Sequence, residues 1–140
     1  MYLLDTNVVS ELRKAHAGRA DENVARWARG VEASALYVSA ITIMELDVGA
    51  HLAARRDSAQ GALLQRWIEE HVLAAFVERV LPVDLAVARI CAKLHVPDRR
   101  PDRDALIAAT ALAHGMTVVT RNVADFERIG ARLLNPWAPA

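Results

Sequence analysis

The sequence is poor in the residues that mark disulfide-rich, thiolate-metal or membrane proteins. Its 140 residues include one cysteine, Cys91, which excludes an intramolecular disulfide framework and a thiolate-rich metal site. Cys91 lies in a helical pattern, where we expect a small core residue. No apolar run reaches about 18 residues, and the amino terminus lacks a basic region followed by a hydrophobic one. We therefore expect a soluble, cytoplasmic protein with no membrane partner.

The sequence also has few aromatic residues and no net charge. Only 5% of the residues are aromatic while 54% are hydrophobic, so the apolar mass is mostly Ala, Val, Leu and Ile. Lys+Arg and Asp+Glu are both 17, which excludes a strongly basic coat for nucleic acid but not a local basic patch. The only lysines are Lys14 and Lys93, and the other cations are arginines, which suit bidentate phosphate contacts. The length predicts one domain, residues 1–140, with a sizeable core.

Short apolar strands alternate with helical patterns along the whole chain. This alternation predicts a three-layer α/β domain built on a parallel sheet. We read residues 15–21 as a loop between the first two helices. The predicted strands are Tyr2–Leu4, Leu36–Val38, Phe76–Val83, Thr117–Thr120 and Ala131–Leu134, and the main predicted helices follow Asp5, Asp21, Ser39, Asp57, Asp84 and Asp102.

Four carboxylates fall where a parallel sheet gathers its functional groups. In such a sheet each crossover helix begins near the carboxyl edge, so strand ends and first helical turns meet there. Asp5 ends the first strand and Glu45 lies in the second turn of the helix after Val38. Asp104 lies in the first turn of a later helix, and Asp125 in the loop after Thr117–Thr120. Taken singly, each acid is as well explained as a helix cap or a solvated side chain, and Asp84, which has no partner acid, is predicted to be only a cap.

Glu45 departs most from those ordinary explanations. Ile41, Met44, Val48 and Leu52 form a predicted apolar stripe that encloses it, and an unpaired carboxylate on a buried stripe is costly. Gly49 follows one turn later, where glycine costs about 1 kcal/mol relative to alanine. This cost suggests that another segment approaches the helix closely.

Four converging carboxylates need relief from mutual repulsion. That repulsion is roughly 4 kcal/mol per pair at about 4 Å and an effective dielectric near 20. Either some acids stay protonated or a divalent cation binds. Oxygen ligands without cysteine or a histidine cluster favour Mg²⁺ or Mn²⁺ over Zn²⁺. A hard cation on a sheet edge suits phosphodiester cleavage.

Four motifs in this order resemble those of the PIN-domain ribonucleases, in particular the VapC-type toxins of toxin–antitoxin pairs, with similarity to FitB. Together they span essentially the whole chain, and their order and separations make the resemblance specific. The motifs are Leu4-Asp5-Thr6-Asn7, Met44-Glu45-Leu46 with Gly49, the helix Asp104–Ala111, and Val118–Phe126, and the ending Leu134–Trp137 is similar too.

The resemblance implies a parallel sheet of about five strands with the first at its centre, and a Mg²⁺- or Mn²⁺-dependent endoribonuclease. It places Asp5, Glu45, Asp104 and Asp125 in the family's acidic cluster and Thr6, Thr120 and Asn122 among its supporting polar groups. It also implies a homodimer and a cognate VapB-like antitoxin whose tail, often with an arginine, enters the acidic site. We expect structured RNA, for example tRNA, to be the substrate.

Two other functions remain open for this sequence. The first is a catalytically silent binding module that uses the acidic pocket as an arginine socket for a partner protein. The second is a receiver-type phosphorylation domain, which needs a lysine at the site. It is disfavoured because neither Lys14 nor Lys93 follows a strand.

Overall fold

The computed structural model describes residues 1–139 and forms a five-stranded, all-parallel sheet. The strand order is β3-β2-β1-β4-β5, so the first strand lies at the centre, as predicted. In the register, Tyr2 pairs with both Leu36 and Thr117. The strands are β1 (Tyr2–Leu4), β2 (Leu36–Ser39), β3 (Val80–Leu81), β4 (Thr117–Val119) and β5 (Leu133–Leu134).

Helices cover both faces of this sheet. Most begin at an acidic or hydroxyl side chain that accepts a hydrogen bond from the first helical turn, as Asp21, Ser39, Asp57 and Asp84 do. The helices are α1 (Thr6–Arg13), α2 (Glu22–Arg29), α3 (Ala40–Arg56), α4 (Ser58–Trp67), α5 (Leu73–Ala75), α6 (Leu85–Leu94), α7 (Asp102–His114) and α8 (Val123–Phe126).

The central strand carries a core on each side because successive side chains point to opposite faces. Leu4 packs with Val8, Val38 and Val119 in the core that α1, α3 and the π-helical turn Ile68–Val72 after α4 cover. Leu3 packs with Ile107 and other residues in the core under α7. Both leucines are fully buried, which fixes the position of the residue that follows them, Asp5.

Two predicted segments differ from the observed ones. The strand predicted from Phe76 reduces to Val80–Leu81, because Glu78 adopts a left-handed backbone conformation at φ 64° and the Arg79 amide bonds back to the Phe76 carbonyl. That geometry makes residues 76–79 a turn after α5 rather than a strand. The predicted loop at 15–21 begins instead with a 3₁₀ turn, Lys14–Ala17, which Gly18 ends.

The apolar stripe predicted on α3 is wrong at Met44 and Leu52, whereas Ile41 and Val48 are half-buried and Ile41 packs against the core under α7. The buried residues of α3 are Thr42, Leu46, Ala50 and Ala53, which face the core at helical spacing. Met44 and Leu52, predicted to be inside, are 41% and 56% exposed. The two stripes differ by a rotation of the helix, and hydrophobicity alone did not identify the face that packs. Glu45 is therefore at the edge of the buried face rather than within it.

The close helix approach also occurs at a different glycine. A Cβ at Gly49 would have no neighbour within 4 Å, whereas one at Gly61 on α4 would lie 2.3 Å from the Ala54 Cβ of α3. Gly61 is thus the residue that permits α3 and α4 to pack. Within residues 1–139, no helix is both long and apolar enough to cross a membrane.

Candidate functional site

Asp5 lies between β1 and α1 and is held by three donors. Its backbone amide completes the sheet by donating to the Val119 carbonyl at 2.9 Å. Its Oδ1 accepts from the Thr6 amide at 2.8 Å, and its Oδ2 accepts from the Thr120 hydroxyl at 2.8 Å and from Asn7 Nδ2 at 3.3 Å. The residue is only 5% exposed. Asp5 is therefore both the cap of α1 and a rigidly placed carboxylate at the carboxyl edge of the central strand.

Glu45 reaches the same edge from α3. The Thr6 hydroxyl donates to its Oε1 at 2.7 Å, and Thr42 Oγ1 lies 3.3 Å from that hydroxyl. The other oxygen, Oε2, lies 3.7 Å from Arg103 Nη1, and the Glu45 side chain is 24% exposed. Thr6 thus links the two acids, since its amide binds Asp5 and its hydroxyl binds Glu45.

Asp104 and Asp125 complete the group electrostatically. Partial burial raises the pKa of Asp104, and the charges of Asp5, Asp125 and Glu45 raise it further. Burial also raises the pKa of Asp5; the hydrogen bonds from Thr120 and Thr6 oppose this effect, and the charges of Glu45 and Asp125 add to it. Asp104 is partly buried and Asp125 is exposed. The four acids predicted from the sequence are therefore close enough together that the charges of other acids in the set raise the pKa values of Asp5 and Asp104.

The three predicted supporting residues have different roles. Thr6 and Thr120 bind Glu45 and Asp5 as described. Asn122 contributes through its backbone, because its amide donates to Thr120 Oγ1 at 3.0 Å and its carbonyl accepts from the Asp125 amide at 3.0 Å. It therefore orders the loop after β4 rather than binding an acid with its side chain.

Two further residues of this network, Asn7 and Thr42, are not among the site residues predicted from the sequence. Asn7 binds Asp5 through Nδ2 and accepts from the Arg121 amide through Oδ1 at 3.3 Å, so it joins α1 to the loop after β4. Thr42 is fully buried and adjoins Thr6. Asn7 follows the motif residues Asp5 and Thr6 directly, and Thr42 precedes Glu45 by three residues, which places it on the same helix face. These positions beside Asp5 and Glu45 are the sequence features from which the two residues could have been predicted.

The donor set suits a hard divalent cation, although the cluster is open. It offers carboxylate oxygens supported by hydroxyls and an amide, without thiolate or imidazole, which is the chemistry that Mg²⁺ and Mn²⁺ prefer. Across the described part of the chain, no three or more His, Cys, Asp or Glu side chains are grouped closely enough to hold a metal ion by themselves. Mg²⁺ keeps several water ligands in most protein sites, so an open set of acids fits it.

A parallel sheet with a central first strand and four acids at its carboxyl edge defines the class of protein. The PIN domain model matches residues 2–132, and the chain belongs to this family. The chain is 42% identical to the VapC ribonuclease Y4jK of Sinorhizobium fredii over the full length of both proteins. It is 34% identical to the toxin FitB of Neisseria gonorrhoeae over 98% of this chain and 99% of that protein.

Solved structures agree with this assignment. The FitAcB crystal structure from Neisseria gonorrhoeae contains a chain that superposes with a TM-score of 0.88 at 33% identity, covering 99% of this chain and all of the other. The predicted fold, a PIN-like sheet with the first strand central, is confirmed.

Proposed function

We propose that the protein is an endoribonuclease that hydrolyses RNA phosphodiester bonds at the acidic cluster and is neutralised by a cognate antitoxin. The observation that carries the proposal is the hydrogen-bond network at this sheet edge, in which Thr6 binds Asp5 through its amide and Glu45 through its hydroxyl. Beside it, partial burial and then the charges of Asp5, Asp125 and Glu45 raise the pKa of Asp104. Acids from four separate parts of the chain thus meet beside one sheet edge. Such a group of acids is costly to the fold, and clusters of acids with perturbed pKa values are typical of functional sites.

Each residue of the cluster has a proposed role. Asp5 and Asp104 would hold a divalent cation, with Glu45 and Asp125 as the further carboxylates that support it. Thr6 orients Glu45, and Thr120 fixes Asp5. Mg²⁺ or Mn²⁺, when bound here, supplies a more acidic water and neutralises charge on the phosphate.

Hydrolysis then requires a water held opposite the leaving oxygen. The acids position this water for in-line attack on phosphorus, the bond to the 3′ oxygen breaks, and the departing oxygen develops negative charge. Glu45 is well placed for this work because the Thr6 hydroxyl fixes one of its oxygens, while the other is 3.7 Å from Arg103 Nη1 on a side chain that is 24% exposed. The hydrogen bonds to Asp5 keep its carboxylate oriented without rearrangement during the reaction.

The proposed partners follow from the relatives. Y4jK and the shorter match VapC14 of Mycobacterium tuberculosis are named ribonucleases, and FitB is named a toxin. A solved structure with a TM-score of 0.69 at 26% identity is named a toxin–antitoxin complex from Klebsiella pneumoniae. By this likeness we propose structured RNA as the substrate, a VapB- or FitA-like antitoxin as the protein partner and the cytoplasm as the location. The homodimer stays a prediction from the family resemblance, which sedimentation of the purified chain checks.

One contact favours the second candidate function, an arginine socket without catalysis. The Arg103 guanidinium lies beside Glu45 at 3.7 Å, so an acid of the cluster already accepts a guanidinium within this chain. A socket protein binds its partner through the acids but cleaves no RNA at any cation concentration. Cleavage therefore separates the two functions.

The test maps RNA ends after incubation of the purified chain with total cellular RNA, in Mg²⁺, in Mn²⁺ and in EDTA. We expect specific new ends with either cation and none in EDTA. Asp5→Asn should reduce cleavage at least a hundredfold while retaining the cap of α1, since asparagine caps helices as well as aspartate does. Asp84→Asn is the matched control at another strand–helix junction and should cleave normally. Cleavage in EDTA, or full activity of Asp5→Asn, contradicts the mechanism.

A further inference from the structure

Gly49 on α3 faces open space although it lies in the middle of a long helix. Glycine lowers helix stability relative to alanine at such a position. A Cβ here would meet no atom within 4 Å, so no part of this chain explains the absence of a side chain. Gly49 instead lines a cavity of about 300 Å³, next to the acidic cluster.

One end of this cavity belongs to the candidate active site. Thr6 and Glu45, which are hydrogen-bonded to each other at 2.7 Å, form part of its wall. Ser10 of α1 and Trp67 of α4 also line this cavity. Its volume is at the lower end of the about 300–1,000 Å³ typical of ligand sites, which is enough for a group the size of a nucleoside.

The far end carries positive charge. Arg13 and Lys14 both line the cavity at the carboxyl end of α1. The Arg13 guanidinium stacks over the Trp67 ring at 5.5 Å from its centroid, so it is held by packing and leaves its N–H groups available. The Lys14 side chain is 53% exposed and lies 3.2 Å from Glu11. The cavity thus runs from carboxylates that attract cations to cations that attract phosphates.

We propose that the cavity lined by Thr6, Gly49 and Lys14 binds the nucleotide next to the scissile bond, with the following phosphate on Arg13 and Lys14. The inference rests on the proposed function, because it places one unit of a single RNA strand beside the acids. Single-strand sites combine a basic track with an aromatic wall in this way. The missing side chain at Gly49 leaves room for the nucleoside.

The steric test fills the cavity at Gly49 in the full-length chain. Gly49→Leu and Gly49→Ala both replace a helical glycine by a better helix former in open space, so both should raise the midpoint of thermal unfolding. The probe is a fluorescent 12-nucleotide RNA of random sequence, bound in EDTA to prevent cleavage and followed by anisotropy. We expect Gly49→Leu to weaken binding at least tenfold and Gly49→Ala at most threefold.

The charge test uses the two lysines of the chain. Lys14→Gln should weaken binding of the same RNA and lower the slope of log affinity against log salt by about 0.7, as expected for one lost phosphate contact on a single strand. Lys93→Gln removes the same charge from α6, outside the cavity, and should leave both quantities unchanged.

The outcomes separate this inference from the proposed function. Equal RNA affinity of Gly49→Leu and Gly49→Ala overturns the subsite even if the wild-type chain cleaves RNA. A change in oligomeric state on sedimentation, or lost antitoxin binding with RNA affinity intact, assigns the surface at Gly49 to a protein interface and also overturns it. If the wild-type chain binds this RNA but cleaves none in Mg²⁺ or Mn²⁺, the proposed ribonuclease activity is contradicted. Weaker binding by Gly49→Leu than by Gly49→Ala would then still support RNA binding in the cavity.

Discussion

At the residue scale, Asp5 and Asp84 show how one local arrangement serves two purposes. Each follows apolar residues and caps a helix, Asp5 through the Thr6 amide and Asp84 through the Val87 amide at 3.0 Å. Asp5 is 5% exposed and lies beside other acids, whereas Asp84 is exposed. Local sequence predicted both caps correctly. Only the surroundings distinguish a functional acid from a structural one.

Asp84→Ala should therefore affect stability alone. Loss of the hydrogen bond to the Val87 amide should lower the free energy of unfolding by about 0.5–2 kcal/mol, as for other helix caps. Urea unfolding measures this change, and RNA cleavage by the folded variant should equal that of the wild-type chain. Lost cleavage at unchanged stability would place Asp84 in the site and contradict the cap assignment.

Thr120→Val tests the support of Asp5. The fully buried Thr120 hydroxyl stabilises the charged form of Asp5, so its loss should raise the Asp5 pKa further and cost about 1–3 kcal/mol of unfolding free energy at pH 8. The cost should shrink at low pH, where Asp5 is protonated. Thr110→Val is the matched control, because that buried hydroxyl donates to the uncharged Leu106 carbonyl. The same pH-independent loss in both variants would contradict this role.

At the element scale, α3 shows what periodicity misses. Its long apolar pattern predicted the helix correctly, but several rotations of that helix place apolar residues inward. Tertiary packing selected the face containing Thr42 and Leu46: Leu46 packs in the core beside Leu4, and Ala54 on the same helix approaches Gly61 of α4 closely. No feature of α3 alone reports the position of Gly61.

The two glycines should respond oppositely to alanine. Gly49→Ala should raise the free energy of unfolding by up to about 1 kcal/mol, since it gains helix propensity without a clash. Gly61→Ala should lower it by about 1–3 kcal/mol, because the new Cβ meets the Ala54 backbone and the helices must separate. Thermal and urea unfolding of both variants measure the difference. Stabilisation by both substitutions would show that α3 and α4 do not pack as described.

At the scale of the whole molecule, the acidic cluster makes stability depend on pH. The folded-state pKa values of Asp5 and Asp104 lie above the ordinary value of 3.8, so between 3.8 and the raised values the folded chain binds more protons than the unfolded chain. Stability contributed by these two groups is therefore present below 3.8 and is lost as pH rises through the raised pKa values.

Asp104→Asn should accordingly become more stabilising as pH rises. Relative to the wild-type chain, its free energy of unfolding should increase from about pH 4 to pH 7, because the wild-type carboxylate becomes charged in a partly buried position beside three other acids. Urea unfolding across this range gives the difference, and Asp98→Asn serves as a control acid in the loop before α7. A difference that is constant with pH would contradict the electrostatic origin.

A divalent cation should offset the same repulsion. A ligand that binds only the folded state stabilises that state by about 2.7 kcal/mol when the ligand concentration is 100 times the Kd. We expect Mg²⁺ or Mn²⁺ to raise the midpoint of thermal unfolding of the wild-type chain, and Asp5→Asn or Asp104→Asn to reduce that rise. Equal responses of wild-type and variant chains would place the bound cation elsewhere.

The sequence by itself determined the alternation of strands and helices along the chain, the caps and the choice of four candidate acids, because these depend on local propensity and on the rule that parallel strands end at one edge. The tertiary structure decided which face of α3 is buried, how Thr6, Asn7 and Thr120 share their hydrogen bonds, and where the chain leaves space beside Gly49. Those features depend on distances between segments far apart in the chain, which no local pattern encodes.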